Sequence, residues 1–188
     1  MAITYATWNP SDKNANVTLS SWNLTASVAW WVTHYAARAT IWKSSGKWYW
    51  EVTVISNVWI MFIWVGNVLM SIVNDSYVWF DVKWWSYYTL GTKYTSAGGS
   101  AYASAYTNGD VIWVALDMDA GTITMYKNNV SQWVMFNSLT WTLFPAISLY
   151  WASSISAKFG ATAFTYSPPG WFSWLSTGTP DNNFLMFF

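Results

Sequence analysis

No cysteine occurs in the 188 residues, so disulfide staples and thiolate metal sites are excluded. A chain of this length can bury a core as one domain without them. Charge is scarce and balanced, with eight Lys and Arg against eight Asp and Glu. That removes the electrostatic case for nucleic acid or an anionic membrane surface. The opening "MAITYATWNPSDKN" has no basic stretch followed by an apolar run, so no secretory signal is expected there. Histidine occurs once, at His34, with no Gly-x-Ser-x-Gly context and no thiol to activate. No nucleophile–base pair is visible, and neither catalysis nor a cofactor is expected. Helical periodicity is almost missing as well.

Aromatic residues fill the space left by charge: 18 Trp, 12 Tyr and 10 Phe. The uncharged polar residues are mostly Ser, Thr and Asn, a surface associated with virion or extracellular β-proteins. One stretch, 52–73, "VTVISNVWIMFIWVGNVLMSIV", is about long enough to cross a bilayer. Ser56, Asn57, Gly66 and Asn67 interrupt it and Val and Ile dominate, so two strands and a turn are expected rather than membrane insertion.

Runs of β-branched and aromatic residues alternate with clusters of Gly, Asn, Asp, Ser or Pro, at the spacing of an all-β sandwich. Strands are predicted at 17–19, 24–27, 37–41, 47–55, 60–65, 85–88, 111–117, 122–127, 133–136 and 143–149, with a late pair at 156–159 and 165–167. "DAG" and "KNN" around "TITMYK" read as hairpin turns, because Asn, Asp and Gly tolerate positive φ. "SPPG" at 167–170 is expected to end the sheet, since proline cannot donate to a ladder. Alternation assigns Trp48, Trp50, Val52, Ile63, Val65, Val114, Leu116, Ile123, Met125, Ile147 and Phe159 to the core.

Three blocks together resemble the SPRY domain family: "GKWYWEVTV" (46–54), "GDVIWVALDMDAGTITMYKNNVSQ" (109–132), and "FPAISLY" with "AKFG" (144–150, 157–160). The opening "WNPSDKNANVTLSSWNLTA" resembles the N-terminal segment of SPRY domains of phage and bacterial type. The likeness runs from about Trp8 to Phe172. It implies a bent antiparallel β-sandwich of two sheets over 1–175, followed by a C-terminal extension, 176–188. It also implies binding by surface loops and no catalytic residues.

In that family's pattern several positions occupied here by tryptophan are usually glycine: Trp22, Trp42, Trp64, Trp84, Trp113, Trp133 and Trp171. Trp79, Trp141, Trp151 and Trp174 are further candidates, whereas Trp8, Trp48, Trp50 and Trp85 fall where the family has aromatic residues. The codon UGA is read as tryptophan in some genetic codes and as glycine in others, a single cause for a change confined to one residue type. If it acts here, several of the seven should show positive φ or stand at bulges or close strand contacts. The rival expectation is a set of exposed indoles stacking on sugar rings.

Carboxylates offer little chemistry. Asp117 and Asp119 share a strand face, but Ala120 and Gly121 follow, so Asp119 is expected to cap its own turn. Glu51, the one glutamate, is expected to pair with Lys47 or Arg38. Asp75 and Asp81 lack the spacing of a calcium loop. Recognition is expected in loops 28–36, 66–84 and 91–108, with Tyr77, Tyr94, Tyr102 and Tyr106 as contact residues. The function expected is a structural or binding module of a bacteriophage virion (tail, fibre or capsid surface). Its partners would be other virion subunits or copies of itself, and a host-surface glycan or protein. A secreted glycan-binding module and an intracellular peptide-binding adaptor are the alternatives. The apolar end of the extension, "NFLMFF", is expected to be covered by a neighbouring subunit.

Overall fold

A computed structural model describes residues 2–29, 33–56, 60–69, 72 and 84–177. Among them every regular element is a strand. The strands run β1 (Thr4–Tyr5), β2 (Trp8–Lys13), β3 (Thr18–Ser20), β4 (Thr25–Ser27), β5 (Tyr35–Ala39), β6 (Lys47–Ser56), β7 (Met61–Gly66) and β8 (Trp84–Tyr88). They continue with β9 (Thr92–Thr95), β10 (Gly98–Ala101), β11 (Val111–Asp117), β12 (Thr122–Lys127) and β13 (Val130–Phe136). Last come β14 (Phe144–Leu149), β15 (Ser154–Lys158), β16 (Ser173–Trp174) and β17 (Ser176–Thr177).

Two antiparallel sheets form the sandwich. One has the order β10-β9-β8-β7-β14-β5-β2, the other β13-β12-β11-β6-β15-β4-β3. A small β1–β17 pair joins the two ends of the described chain, and β16 lies parallel to β6. Alternation decides what each strand buries. In β6, Trp50, Val52 and Val54 point between the sheets while Tyr49 and Glu51 point outward. In β11, Ile112, Val114 and Leu116 go inward and Trp113 and Ala115 outward. The inner faces meet in one apolar core with Trp8, Trp50 and Phe159 among its largest members. Trp8 packs edge-on to Phe159 at 5.2 Å, and its Nε1–H donates to the Leu24 carbonyl at 3.1 Å, so the buried indole keeps no unmet polar atom.

All the residues expected in the core are buried except Trp48, which is half-buried. Its indole donates to the Ser45 carbonyl at 2.6 Å and lies 3.3 Å beneath the Lys43 ammonium. The strands expected at 111–117 and 122–127 hold to both bounds, and the membrane-length stretch supplies the end of β6 and all of β7. Among the described residues no helix is long and apolar enough to cross a membrane.

Three expectations need correction. Residues 165–167 form a loop, because the amides of Thr165 and Tyr166 donate to the Glu51 carboxylate rather than to a strand. "SPPG" does not end pairing, since β16 and β17 follow it and extend the fold to Thr177. β2 was not expected, for it is polar and contains Pro10. It is tolerated because β2 is an edge strand whose pairing to β5 slips between Trp8 and Lys13, so the missing proline N–H breaks no ladder.

The tryptophans divide by backbone. Trp22, Trp133 and Trp171 have positive φ, and Trp151 joins them, whereas Trp42, Trp64, Trp84 and Trp113 do not. Trp64, Trp84 and Trp113 are ordinary strand residues with buried rings. Trp64 donates to Ser148 Oγ at 3.1 Å, while the indole N–H groups of Trp84 and Trp113 have no hydrogen-bond partner. Trp113 lies nearly parallel to Tyr126, its cross-strand neighbour, with ring centroids 3.3 Å apart, a side-chain stack and not the close backbone approach expected of a glycine position.

Candidate functional site

The histidine and the carboxylates singled out in the sequence are engaged in holding the fold. His34 is buried between Phe62 and Tyr150, with ring centroids at 5.4 and 5.0 Å, and burial pushes its pKa down to about 4. It is therefore neutral at pH 7. Asp117, not Asp119, is the turn cap. Its Oδ1 accepts the Asp119 and Ala120 amides at 3.1 and 2.9 Å, and its Oδ2 meets Lys47 Nζ at 2.5 Å. Burial alone would raise the Asp117 pKa, but the Lys47 bond and the two amides outweigh it and hold the carboxyl below its usual range. Asp119 instead accepts the Gly46 amide at 2.7 Å, tying two loops together.

Glu51 does not pair with Lys47 or Arg38. Lys47 is taken by Asp117, and Arg38 forks onto Asp12 with two contacts of 2.8 Å. The fully buried Glu51 carboxylate accepts the Tyr49 hydroxyl at 2.9 Å and the Thr165 and Tyr166 amides at 2.8 Å each, with Lys158 Nζ at 3.9 Å. Its oxygens are thus satisfied, and it pins the 160s loop over Tyr49 and Trp113. Among the described residues no group of three His, Cys, Asp or Glu could hold a metal ion. Asp75 and Asp81 lie outside the described residues.

Of the four expected contact tyrosines, Tyr77 lies outside the described residues. Tyr106 is a core residue rather than a displayed one. Its hydroxyl reaches the Met61 and Tyr87 carbonyls at 2.9 and 3.1 Å, and burial raises its pKa, so it stays a neutral donor. Tyr94 is half-buried, edge-on to Phe62 and Tyr88, with its ring against Gly99 across the β9–β10 hairpin. Tyr102 lies on the surface of a cleft.

That cleft, about 770 Å³, opens between β10 and β13, the terminal strands of the two sheets. Leu90, Gly91 and Thr92 form one wall, Ala101 to Ser104 the second, and Val130 to Trp133 the third. None of these residues carries a charge. The walls are fixed by hydrogen bonds. The Tyr102 and Ala103 amides both donate to the Gly91 carbonyl at 3.0 and 2.9 Å, and the Tyr102 hydroxyl donates to the Trp133 carbonyl at 2.7 Å. The Ser104 amide donates to Gln132 Oε1 at 3.1 Å, and Lys93 Nζ donates to the Met135 carbonyl at 2.8 Å. Gly91 is required where it stands: φ is +85° and a Cβ would lie 2.2 Å from the Ala103 carbonyl oxygen. Tyr87 adds a hydroxyl bond to the Ser104 carbonyl from beneath.

Among the described residues the cleft draws on the expected loop 91–108; most of 66–84 and part of 28–36 lie outside them. Its third wall, 130–133, was not anticipated. The only sequence signal for it is the left-handed Asn128–Asn129 turn, which delivers β13 back along β12. A smaller apolar hollow of about 630 Å³ lies beside Ile60, Tyr88, Leu90, Tyr150 and Trp151.

The SPRY domain family model matches residues 47–162. Among solved structures the chain is similar to the SPRY domain of human HERC1, with a TM-score of 0.70 at 19% identity, covering 83% of this chain and 99% of that one. It is similar to the TRIM65 PSpry domain, with a TM-score of 0.66 at 13% identity, covering 82% and 90%. Stonustoxin gives a TM-score of 0.62 at 19% identity, covering 82% of this chain and 27% of the toxin chain. At these identities the likeness is one of fold.

Proposed function

Since the chain belongs to the SPRY domain family, whose members are generally protein-binding modules and typically non-catalytic, we propose that it binds an extended, uncharged segment of a partner protein in the cleft between β10 and β13. The observation that carries this reading is the cleft's lining: small residues (Gly91, Ala101, Ala103, Ser104, Ser131) flanked by the apolar surfaces of Leu90, Tyr102 and Val130. Small residues let a foreign backbone approach closely, and a rigid aromatic with a polar tip supplies contact at little entropic cost. The absence of charge among these residues disfavours acidic or basic ligands, which would lose hydration without gaining a partner.

The scarcity of charge over the whole chain supports a virion or extracellular setting, where the partner is another subunit or a host-surface protein. As an intracellular adaptor the protein would use the same cleft. A sugar platform has less support, because the exposed indoles of Trp22 and Trp133 stand at opposite edges of one sheet.

The test is selection of a displayed random-peptide library on the folded protein, followed by binding of the enriched peptides to Ala103→Arg and Ser131→Arg. Both substitutions put a long charged side chain into the cleft. Uncharged peptides that lose at least about tenfold in affinity for both variants, roughly 1.4 kcal/mol, support the reading. Peptides that bind both variants as well as the parent would contradict it.

A further inference from the structure

We infer that positions 22, 133, 151 and 171 are glycine in the protein as its source organism makes it, encoded by UGA codons that this organism reads as glycine and other translation systems read as tryptophan. Among the described residues, ten other than glycine have positive φ, and four of them are tryptophans: Trp22 (+56°), Trp133 (+67°), Trp151 (+41°) and Trp171 (+74°). Three more are Asn23, Asn128 and Asn129. Asparagine is the non-glycine residue that enters this region most easily, because its short amide can bond locally. A bulky aromatic has no such compensation and is an outlier there.

Local geometry asks for glycine at each place on separate grounds. The Phe172 amide donates to the Pro169 carbonyl at 3.1 Å, closing a four-residue turn in which Trp171 is third. Positive φ at the third residue is the demand of a type II turn, which glycine meets. The Leu24 amide donates to the Ser21 carbonyl at 3.1 Å, and both residues between them, Trp22 and Asn23, are left-handed. That is the type I′ pattern, favoured by pairs of Asn and Gly. Trp133 lies in a β-bulge, where β13 slips against β12 between the Thr124 and Tyr126 pairings, and left-handed bulge residues are characteristically glycine. Trp151 and Ala152 are both left-handed in the tight link between β14 and β15.

At three of the four the side chain gives nothing back for this strain, while Trp151 is half-buried beside Tyr150. Trp22, Trp133 and Trp171 are 89%, 78% and 94% exposed. Nor do they gather around a ligand. Trp22 follows β3 and Trp133 lies in β13, the two outermost strands of one sheet, six strand spacings or about 29 Å apart. Trp171 comes just before β16, which pairs with the central strand β6. Trp8 and Trp50 differ in every respect, being buried and without positive φ. One codon reassignment accounts for both groups: tryptophan where the core uses an indole, glycine where the backbone turns left.

The experiment is peptide sequencing by mass spectrometry on protein isolated from its source organism, read beside the gene. The expected result is glycine at 22, 133, 151 and 171, each from UGA, with tryptophan from UGG at Trp8 and Trp50. Tryptophan at any of the four positions, or glycine at Trp8 or Trp50, would overturn the inference.

Discussion

Two hairpins of the same sheet make the same demand on the backbone and meet it differently. The β11–β12 hairpin turns through Gly121 at φ +64°, where a Cβ would stand 2.8 Å from the Leu139 carbonyl oxygen. The β3–β4 hairpin turns through Trp22 at φ +56°, with its ring almost wholly in solvent. In the first, residue and conformation agree, and the turn packs tightly against a neighbouring loop. In the second, the conformation is kept and the residue opposes it. A fold held by its core and ladders can impose a backbone conformation on a residue that would not choose it, at a local cost of about 1–2 kcal/mol.

The widest contrast is between a tryptophan the fold needs and one it only tolerates. Trp50→Ala removes a fully buried indole and should cost about 3–5 kcal/mol, whereas Trp22→Ala should move stability by less than about 1 kcal/mol. Urea unfolding of the two variants checks this, and similar losses would erase the distinction.

Acid should act first at the buried imidazole beside Phe62 and Tyr150 and only at lower pH on the Asp117 turn cap. His34 titrates near 6.5 when unfolded and is held down to about 4 by burial when folded. Between those values the unfolded state binds the extra proton, so stability is full above pH 6.5 and falls as pH drops toward 4, by about 3 kcal/mol in all. His34→Phe should flatten the unfolding free energy across that window. An unchanged slope would place the titration elsewhere.

Gly121→Ala should cost about 2 kcal/mol, because the added methyl meets both a positive φ and the Leu139 carbonyl. At Trp22 the same backbone strain exists without the crowding, so Trp22→Gly should raise stability by about 1 kcal/mol. Thermal unfolding of this pair compares the hairpins directly, and equal signs for the two changes would break the comparison.

Much of the sandwich was legible because β-branched and aromatic runs alternate where strands are long and half their residues face the core. β6, β11 and β12 show this, and with them the burial of Trp50 and Leu116 followed. The short strands β9 and β10, "TKYT" and "GGSA", carry no apolar alternation, so only their pairing reveals them. The same limit applied to the cleft. Tyr102 stood out as an aromatic in a small-residue loop, but Tyr106, with the same composition around it, turns inward to the Met61 and Tyr87 carbonyls. The wall from Val130 to Trp133 is near Tyr102 only because the terminal strands of two sheets meet there, a fact of assembly that local pattern does not contain.

The most direct measurement is urea unfolding of three chains that differ only at 22, 133, 151 and 171: tryptophan, alanine or glycine at all four. Alanine removes the indole but keeps the left-handed strain, so glycine against alanine isolates the backbone. With glycine preferred by about 1 kcal/mol per left-handed site, and with Trp22, Trp133 and Trp171 on separate turns and strands, the glycine chain should exceed the alanine chain by about 4 kcal/mol. An alanine chain as stable as the glycine chain, or more so, would contradict the claim that these positions are built for glycine.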